Sequence, residues 1–391
     1  MGEAYIAAAV RTAGGRRGGR LAGCHPVDLA AATLNALVSR TGIDPGAIDD
    51  VIMGCVSQAG EQGFDVGRNA VLASQLPASV PAVAIDRQCG SSQQAIHFAA
   101  QSVMSGTQDV VIAAGVESMT RVPMFSPTTA YAKAGLPSSP YSAYQLSRFG
   151  VSGFSQFTGA ALMVRKYGFT REALDRFALE SHRRATAATE SGAFGTEIVP
   201  ISVATADGRS EVHQRDEGIR ADATLATIGS VKPIEEGGVI TAANASQICD
   251  GAAAVLIASE QALKTHSLTP IARIHALAVS AGDPVLMLDE PITASRRALA
   301  RAGIQIDNID LYEINEAFAP VPMAWLRELG ADPARLNVNG GAIALGHPLG
   351  ASGAKLLATL VHALRARGGR YGLLSMCEGG GMANATIIEV V

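Results

Sequence analysis

Two cysteines, one histidine and one asparagine have the setting that nucleophilic and proton-transfer chemistry needs. Cys89 lies in Asp86-Arg87-Gln88-Cys89-Gly90-Ser91-Ser92, after a short apolar run and before a helical one. A thiol at a helix N-terminus feels the positive end of the dipole, which favours the nucleophilic thiolate. The plainer alternative is a buried, inert cysteine. His347 sits in the glycine-rich stretch from Asn337 to Gly353. So many glycines imply a tight loop with close backbone approach, and an imidazole held there can serve as general base or oxyanion donor. A phosphate loop is the competing reading, but Gly-Lys-Ser/Thr is missing. Cys377, in Ser375-Met376-Cys377-Glu378-Gly379-Gly380-Gly381, directly follows a strand-like run. Asn315, in Asn315-Glu316-Ala317-Phe318, follows another, Leu311 to Ile314. It can hold a water or a carbonyl, or simply cap a helix. Residues that each follow a strand can converge at one edge of a sheet. Zinc would need close ligand pairs, which are missing, so no metal is expected.

The elements around these residues alternate. Ala4–Val10, Val51–Val56, Ala82–Ile85 and Val110–Ala114 are strand-like, and Pro26–Ser39 and Gln93–Met104 have helical spacing. This pattern predicts an α/β fold with a sheet covered by helices. A weak repeat runs through it. Gly42-Ile43 and Ile48-Asp49 match Gly303-Ile304 and Ile309-Asp310 at an offset of 261, and the helix-Gly106-strand stretch resembles the helix-Gly368-strand stretch at 262. Ala252–Ala258 resembles Ala385–Val391 as a closing strand. Several matches in one order suggest two similar halves. Between them, 121–249 opens with Pro123, Pro127, Pro137 and Pro140 and contains one clear helix, Arg171–Glu190. It reads as an inserted lid or loop domain. The predicted division is 1–120 plus 250–268, the insert 121–249, and 269–391.

Composition narrows the function. The chain has 391 residues, 48% hydrophobic and 17% charged, which excludes intrinsic disorder and fits two to three domains. A net charge of −4 without a long basic run argues against nucleic-acid binding, and Arg16-Arg17 among glycines reads as a surface turn. Five cysteines without a Cys-x-x-Cys pair favour a reducing compartment. The first residues do not form a secretory signal, and no apolar run reaches the ~18 residues of a membrane span, so a cytoplasmic protein is expected.

Together, the motifs resemble the thiolase family, the acetyl-CoA acyltransferases. The resemblance covers essentially the whole chain, in the family's order. It rests on Arg11-Thr12 with the following glycines, Cys89-Gly90-Ser91, Thr241-Ala242-Ala243-Asn244-Ala245-Ser246 before Asp250-Gly251-Ala252, Asn315-Glu316-Ala317-Phe318-Ala319, the Asn-Gly-Gly to Gly-His-Pro loop, and Cys377-Glu378-Gly379-Gly380-Gly381. It implies two βαβαβαββ halves, layered α-β-α-β-α, with a coenzyme A-binding loop domain between them. It implies Cys89 as the acyl-carrying nucleophile, His347 as its activating base and Cys377 as the acid/base at the acetyl α-carbon. Asn315 would hold a water that forms one oxyanion hole with His347, and the N–H groups of Cys89 and Gly379 the other. Ser246 and Arg220 would contact coenzyme A, a co-substrate rather than a permanently bound cofactor. A homodimer or homotetramer is implied as well.

Two departures bear on substrate. Counting back from Tyr167-Gly168, the biosynthetic branch carries His-Met where this chain has Ser155-Gln156, and the Cys377 loop continues Met382-Ala383 where many members have a glycine. The first favours the degradative branch, with a roomier acyl pocket, over an acetoacetyl-CoA-forming acetyltransferase. A decarboxylating ketosynthase would lack Cys377, a non-catalytic lipid-binding relative would lack Cys89 or His347, and a Rossmann dehydrogenase would need its glycine fingerprint.

Overall fold

The computed structural model describes residues 2–205 and 207–391. Strands and helices alternate twice. The first half has β1 (Ala4–Thr12), α1 (Pro26–Thr41), β2 (Asp50–Gly54), α2 (Val66–Ala73), β3 (Ala82–Ile85), α3 (Ser91–Ser105) and β4 (Val110–Ser118). A long insert carries α4 (Gln156–Tyr167) and α5 (Arg171–Glu190), and β5 (Cys249–Ser259) then closes the half. The second half has β6 (Ala272–Ala281), α6 (Glu290–Ala302), β7 (Leu311–Ile314), α7 (Pro320–Leu329), α8 (Ser352–Arg367), β8 (Tyr371–Glu378) and β9 (Met382–Glu389). This is the α/β alternation that the sequence predicts.

These strands form one mixed sheet in the order β7-β8-β9-β6-β1-β5-β4-β2-β3. The halves meet where β1 pairs antiparallel with β6, Tyr5 opposite Arg273. Alternate residues of the strands feed different cores. Val10, Met53, Ile112 and Leu256 pack with Leu29, Leu34 and Leu37 of α1. Ala278, Ile314 and Ala385 pack with Met163, Ile292 and Trp325 of α4, α6 and α7. Val255, Ile257, Leu374 and Ile388 pack with Ile96, Val103, Leu357 and Leu360 of α3 and α8. Strands buried on both faces need near-continuous apolar runs, and Val110–Val116 is one. The two halves of this one sheet therefore lie each between two helical layers, and α3 and α8 form the layer they share.

The repeat is physical. Asp49 Oδ2 accepts the N–H groups of Asp109 and Val110 at 2.7 and 2.9 Å. Asp310 Oδ2 accepts those of Arg370 and Tyr371 at 2.7 and 2.9 Å. Each aspartate thus locks the start of its half's inner strands. Gly42 and Gly303 end α1 and α6 in the left-handed region, φ 67° and 69°, where a side chain would be strained. The register shift between Ile6 and Ala8 of β1 recurs between Ile274 and Ala276 of β6.

Three sequence expectations need correction. The closing strands match as Gly251 with Met382, opposite Glu117 and Glu378 respectively, so Ala252 corresponds to Ala383 rather than Ala385. Similar alanine-rich runs hide a two-residue slip, which only strand pairing resolves. Cys377 lies inside β8, opposite Ala383, not after the strand. The insert holds more than one helix: besides α4 and α5, Ser126–Lys133, Ala143–Phe149 and Leu225–Gly229 are helical. Each is short and flanked by turn residues, so its period is weak.

Candidate active site

The turn from β3 to α3 carries Cys89. Asp86 Oδ1 accepts the Gln88 N–H at 2.6 Å, and Ser91 Oγ donates to Gln88 O at 2.6 Å while accepting the Arg87 N–H at 2.9 Å. These bonds hold Gln88 at φ 49°. The turn rests on the end of β8. A Cβ on Gly90 would fall 1.9 Å from Glu378 Oε1, and one on Gly379 2.8 Å from Gln88 Oε1. Glycine at both positions lets the Cys89 turn and the Cys377 strand approach.

Cys89 is partly exposed, and Cys377 is buried. The helix N-terminus does not by itself make Cys89 a thiolate. Burial, then the Glu378 charge, push its pKa up to about 12 against the pull of its own amide. Cys377 is held well above the usual thiol range by burial, then by Cys89 and Glu378. Both rest as thiols, so the nucleophile needs a base.

His347 supplies an uncharged imidazole. Its loop turns at Gly346, φ 79°, where a Cβ would meet Cys249 Sγ at 2.6 Å. The His347 N–H donates to Gln247 O at 3.0 Å, and Lys355 Nζ donates to Leu345 O and Gly346 O at 2.5 and 2.9 Å. His347 Nδ1 lies 2.5 Å from Ser352 Oγ, and that hydroxyl donates to Pro348 O at 3.0 Å. With the Ser352 proton so engaged, Nδ1 carries the ring hydrogen and Nε2 keeps its lone pair. Burial, then the Lys355 charge, lower the His347 pKa to about 3. Neutral His347 is therefore available as a base across the physiological range.

Asn315 follows β7 as predicted. Its Nδ2 faces His347 Nε2 at 3.4 Å, and its Oδ1 is buried without a partner. It does not cap α7, whose N-cap is Ala319. Next to it, Glu316 accepts from Ser181 Oγ at 2.6 Å, Asn337 Nδ2 at 2.9 Å and the Ile343 N–H at 3.1 Å. It ties α5 of the insert to the histidine loop.

Ser246 is half-buried, and its N–H donates to Ala317 O at 2.9 Å, which puts it against the Asn315–Phe318 motif. Gln247 Nε2 donates to Gly218 O and Ile343 O at 2.8 and 2.6 Å. Arg220 is exposed and farther out. Its N–H donates to His182 Nδ1 at 3.2 Å, and it lines a surface groove beside α5 with Thr186 and Glu190. The structure gives it no bond to the inner residues. Among the described residues no group of three His, Cys, Asp or Glu is placed to hold a metal ion.

The sequence reading passed over Glu117, Gln247, Glu316, Ser352 and Glu378. Glu117 and Glu378 carried a signal: they lie 261 residues apart, at the same place in the repeat.

This fold and this set of side chains define an acyl-transferring enzyme of the thiolase class. The family model described as the thiolase N-terminal domain matches residues 4–261, and that of the thiolase C-terminal domain matches 268–390. The chain belongs to the thiolase family. It is 54% identical over 390 residues to a steroid 3-ketoacyl-CoA thiolase of Mycobacterium tuberculosis, covering 100% of this chain and 94% of that protein. It is 43% identical over 403 residues to a beta-ketoadipyl-CoA thiolase of Escherichia coli, with both chains fully covered. It is 40% identical over 398 residues to a 3-ketoacyl-CoA thiolase of Klebsiella pneumoniae, again over the full length of both.

Proposed function

We propose that this enzyme cleaves a 3-ketoacyl-CoA with coenzyme A, giving acetyl-CoA and a shortened acyl-CoA. The observation that carries the reading is the meeting of the Cys89 turn with the Cys377–Gly379 segment, in a chain that also holds a neutral His347 facing Asn315. His347 Nε2 takes the Cys89 proton, and the thiolate attacks the 3-keto carbon. The C2–C3 bond then breaks, leaving the acyl group on Cys89 and expelling the acetyl-CoA enolate, which takes a proton from Cys377. The thiol of free coenzyme A next attacks the acyl-Cys89 thioester, its proton restores Cys377, and the expelled Cys89 thiolate takes back the proton held by His347. Asn315, through a water, works with His347 on one developing oxyanion, and the N–H groups of Cys89 and Gly379 on the other. One such donor is worth about 3 kcal/mol.

Coenzyme A runs over the insert, residues 121–249. Ser246, beside the Asn315 motif, takes the inner part of the molecule, and exposed Arg220 the outer, anionic part. The acyl group is longer than acetoacetyl, or ring-derived. The names of the steroid and beta-ketoadipyl relatives support this. So does Ser155-Gln156 at the start of α4, whose next residue, Phe157, packs edge-to-face on Phe318 at 5.7 Å.

The working form is a homodimer or homotetramer. The open edge strand β3 with exposed Val83, beside exposed Phe64 and Leu72, supports burial by a second copy. Five free cysteines support a reducing, cytoplasmic setting.

A thiolysis panel from acetoacetyl-CoA upward, ring-bearing substrates included, tests the assignment. Each extra methylene buried adds ~0.8 kcal/mol, about fourfold in the specificity constant. Acetoacetyl-CoA as the best substrate would replace this reading with the biosynthetic one.

A further inference from the structure

Glu378 is fully buried, and among the described residues neither carboxylate oxygen has a partner in hydrogen-bond geometry, the backbone amide of Asn384 acting on it only from outside that geometry. It follows Cys377 directly, and its Oε1 lies where a side chain on Gly90, next to Cys89, would begin. One unpaired carboxyl therefore stands between the turn that carries one thiol and the strand that carries the other. Arg87, on the same turn, is the positive charge that acts on it. It makes no ion pair with Glu378: its Nε is buried without a partner, and its Nη1 lies 3.9 Å from Met382 Sδ. Asp86 is the other charged group of the turn, and β9 offers only the Asn384 amide. A buried carboxyl left without partners costs free energy that packing alone gives no reason to keep.

We propose that Glu378 is a positioning residue that acts through the two thiols: its charge, once formed, holds Cys89 and Cys377 protonated, so that Cys89 is released only by His347 at bound substrate and Cys377 stays a proton donor. This rests on reading Cys89 and Cys377 as the reactive thiols. Burial pushes the Glu378 pKa to about 8, with Arg87 and then the Asn384 amide pulling the other way. Below that pH the carboxyl is neutral and the thiols ionise without its opposition. Above it, the charge opposes both.

The test is alkylation of Cys89 by iodoacetamide in the full-length protein, read by mass spectrometry from about pH 6 to about pH 10, where only the thiolate reacts. A like charge within a few ångströms shifts a pKa by about one unit or more. Wild type and Glu378→Gln should therefore react alike near pH 6, and the variant about tenfold faster near pH 10. A ratio that is the same at every pH overturns the proposal, because a merely structural effect has no reason to switch on as Glu378 ionises. Should the variant not fold, wild type alone decides. Its alkylation rate should rise less than tenfold per pH unit above about pH 8, and a straight single-proton profile overturns the proposal. Incubating unalkylated portions of the same proteins with a 3-ketoacyl-CoA separates the two readings. No acyl adduct on wild-type Cys89 defeats the functional assignment beneath the proposal, whereas an adduct with a flat alkylation ratio defeats the proposal alone.

Discussion

Glu117 is the penultimate residue of β4 and Glu378 the last of β8, at matching positions of the two halves. Glu117 accepts four N–H groups: Val56 and Gly350 on one oxygen, each at 2.9 Å, and Ser57 and Gln62 Nε2 on the other, at 3.1 and 3.0 Å. Glu378 accepts none. Gly350 lies three residues beyond His347, so the first half uses its glutamate to brace the second half's base loop. The second half leaves its own glutamate unbraced, next to the thiols. One architecture built twice carries a braced carboxylate at one strand end and an unpaired one beside two thiols at the other.

The variant with the largest expected effect is Cys89→Ala. If the chemistry is divided as described, it abolishes the acyl adduct seen by mass spectrometry and lowers kcat/KM on the order of 10⁴-fold or more. An adduct on Cys377 or Cys24 instead would sink the assignment.

Cys377→Ala should part the two steps. Acyl transfer from an acyl-CoA to Cys89 survives in part, while exchange of the acetyl-CoA methyl protons with heavy water falls roughly 10²–10⁴-fold. Normal exchange in the variant would remove Cys377 from its role.

The glutamates themselves make the sharpest stability contrast. Glu117→Gln turns an amide NH₂ toward two of the four donors and should cost roughly 3 kcal/mol by denaturant unfolding. Glu378→Gln should behave oppositely, with a pH dependence. The folded-state pKa of Glu378, about 8, lies above the ~4.3 of an unfolded glutamate. The folded wild type therefore binds the extra proton between those values, and its stability falls as pH rises through the window. The melting temperature of Glu378→Gln should match wild type near pH 4 and exceed it by most above about pH 8. A gap that shrinks with rising pH would contradict the unpaired state of Glu378.

Much of this was legible in the chain because it depends on local pattern. Cys89 between an apolar run and a helix, Asn315 after β7 and the glycine-rich loop of His347 are each marked by residues close to them in the chain, and the structure has each in that local setting. The ionisation of Cys89 was not legible. It is set by burial that only the folded chain creates, and then by Glu378, 289 residues away in sequence. The same holds for Ser352, whose hydroxyl fixes the His347 tautomer, and for Gln247, which ties the insert to that loop. The two-residue slip in the closing strands has a related cause: alanine-rich runs carry little register information until partners are present.

The smallest expected effect tests the repeat at the opposite end of the strands. Asp49 and Asp310 each accept two backbone N–H groups, and the strand starts they lock are further fixed alike. Ser259 N–H donates to Asp109 O at 2.8 Å in one half, and Val390 N–H to Arg370 O at 2.8 Å in the other. Replacing either aspartate by alanine removes two bonds but lets water reach the freed amides, so each should cost about 1 kcal/mol. Asp310 is the less exposed of the two, and water replaces its bonds less readily. Asp310→Ala should therefore cost somewhat more than Asp49→Ala, and the double variant should equal the sum, because the two latches share no partner. Thiolysis by either variant should stay near wild type where the protein is folded, since each aspartate sits at the start of a strand and not in the turn that carries Cys89. A cost at Asp310 well below that at Asp49, or a double variant far from additive, would show that the two halves are not independent copies of one locking device.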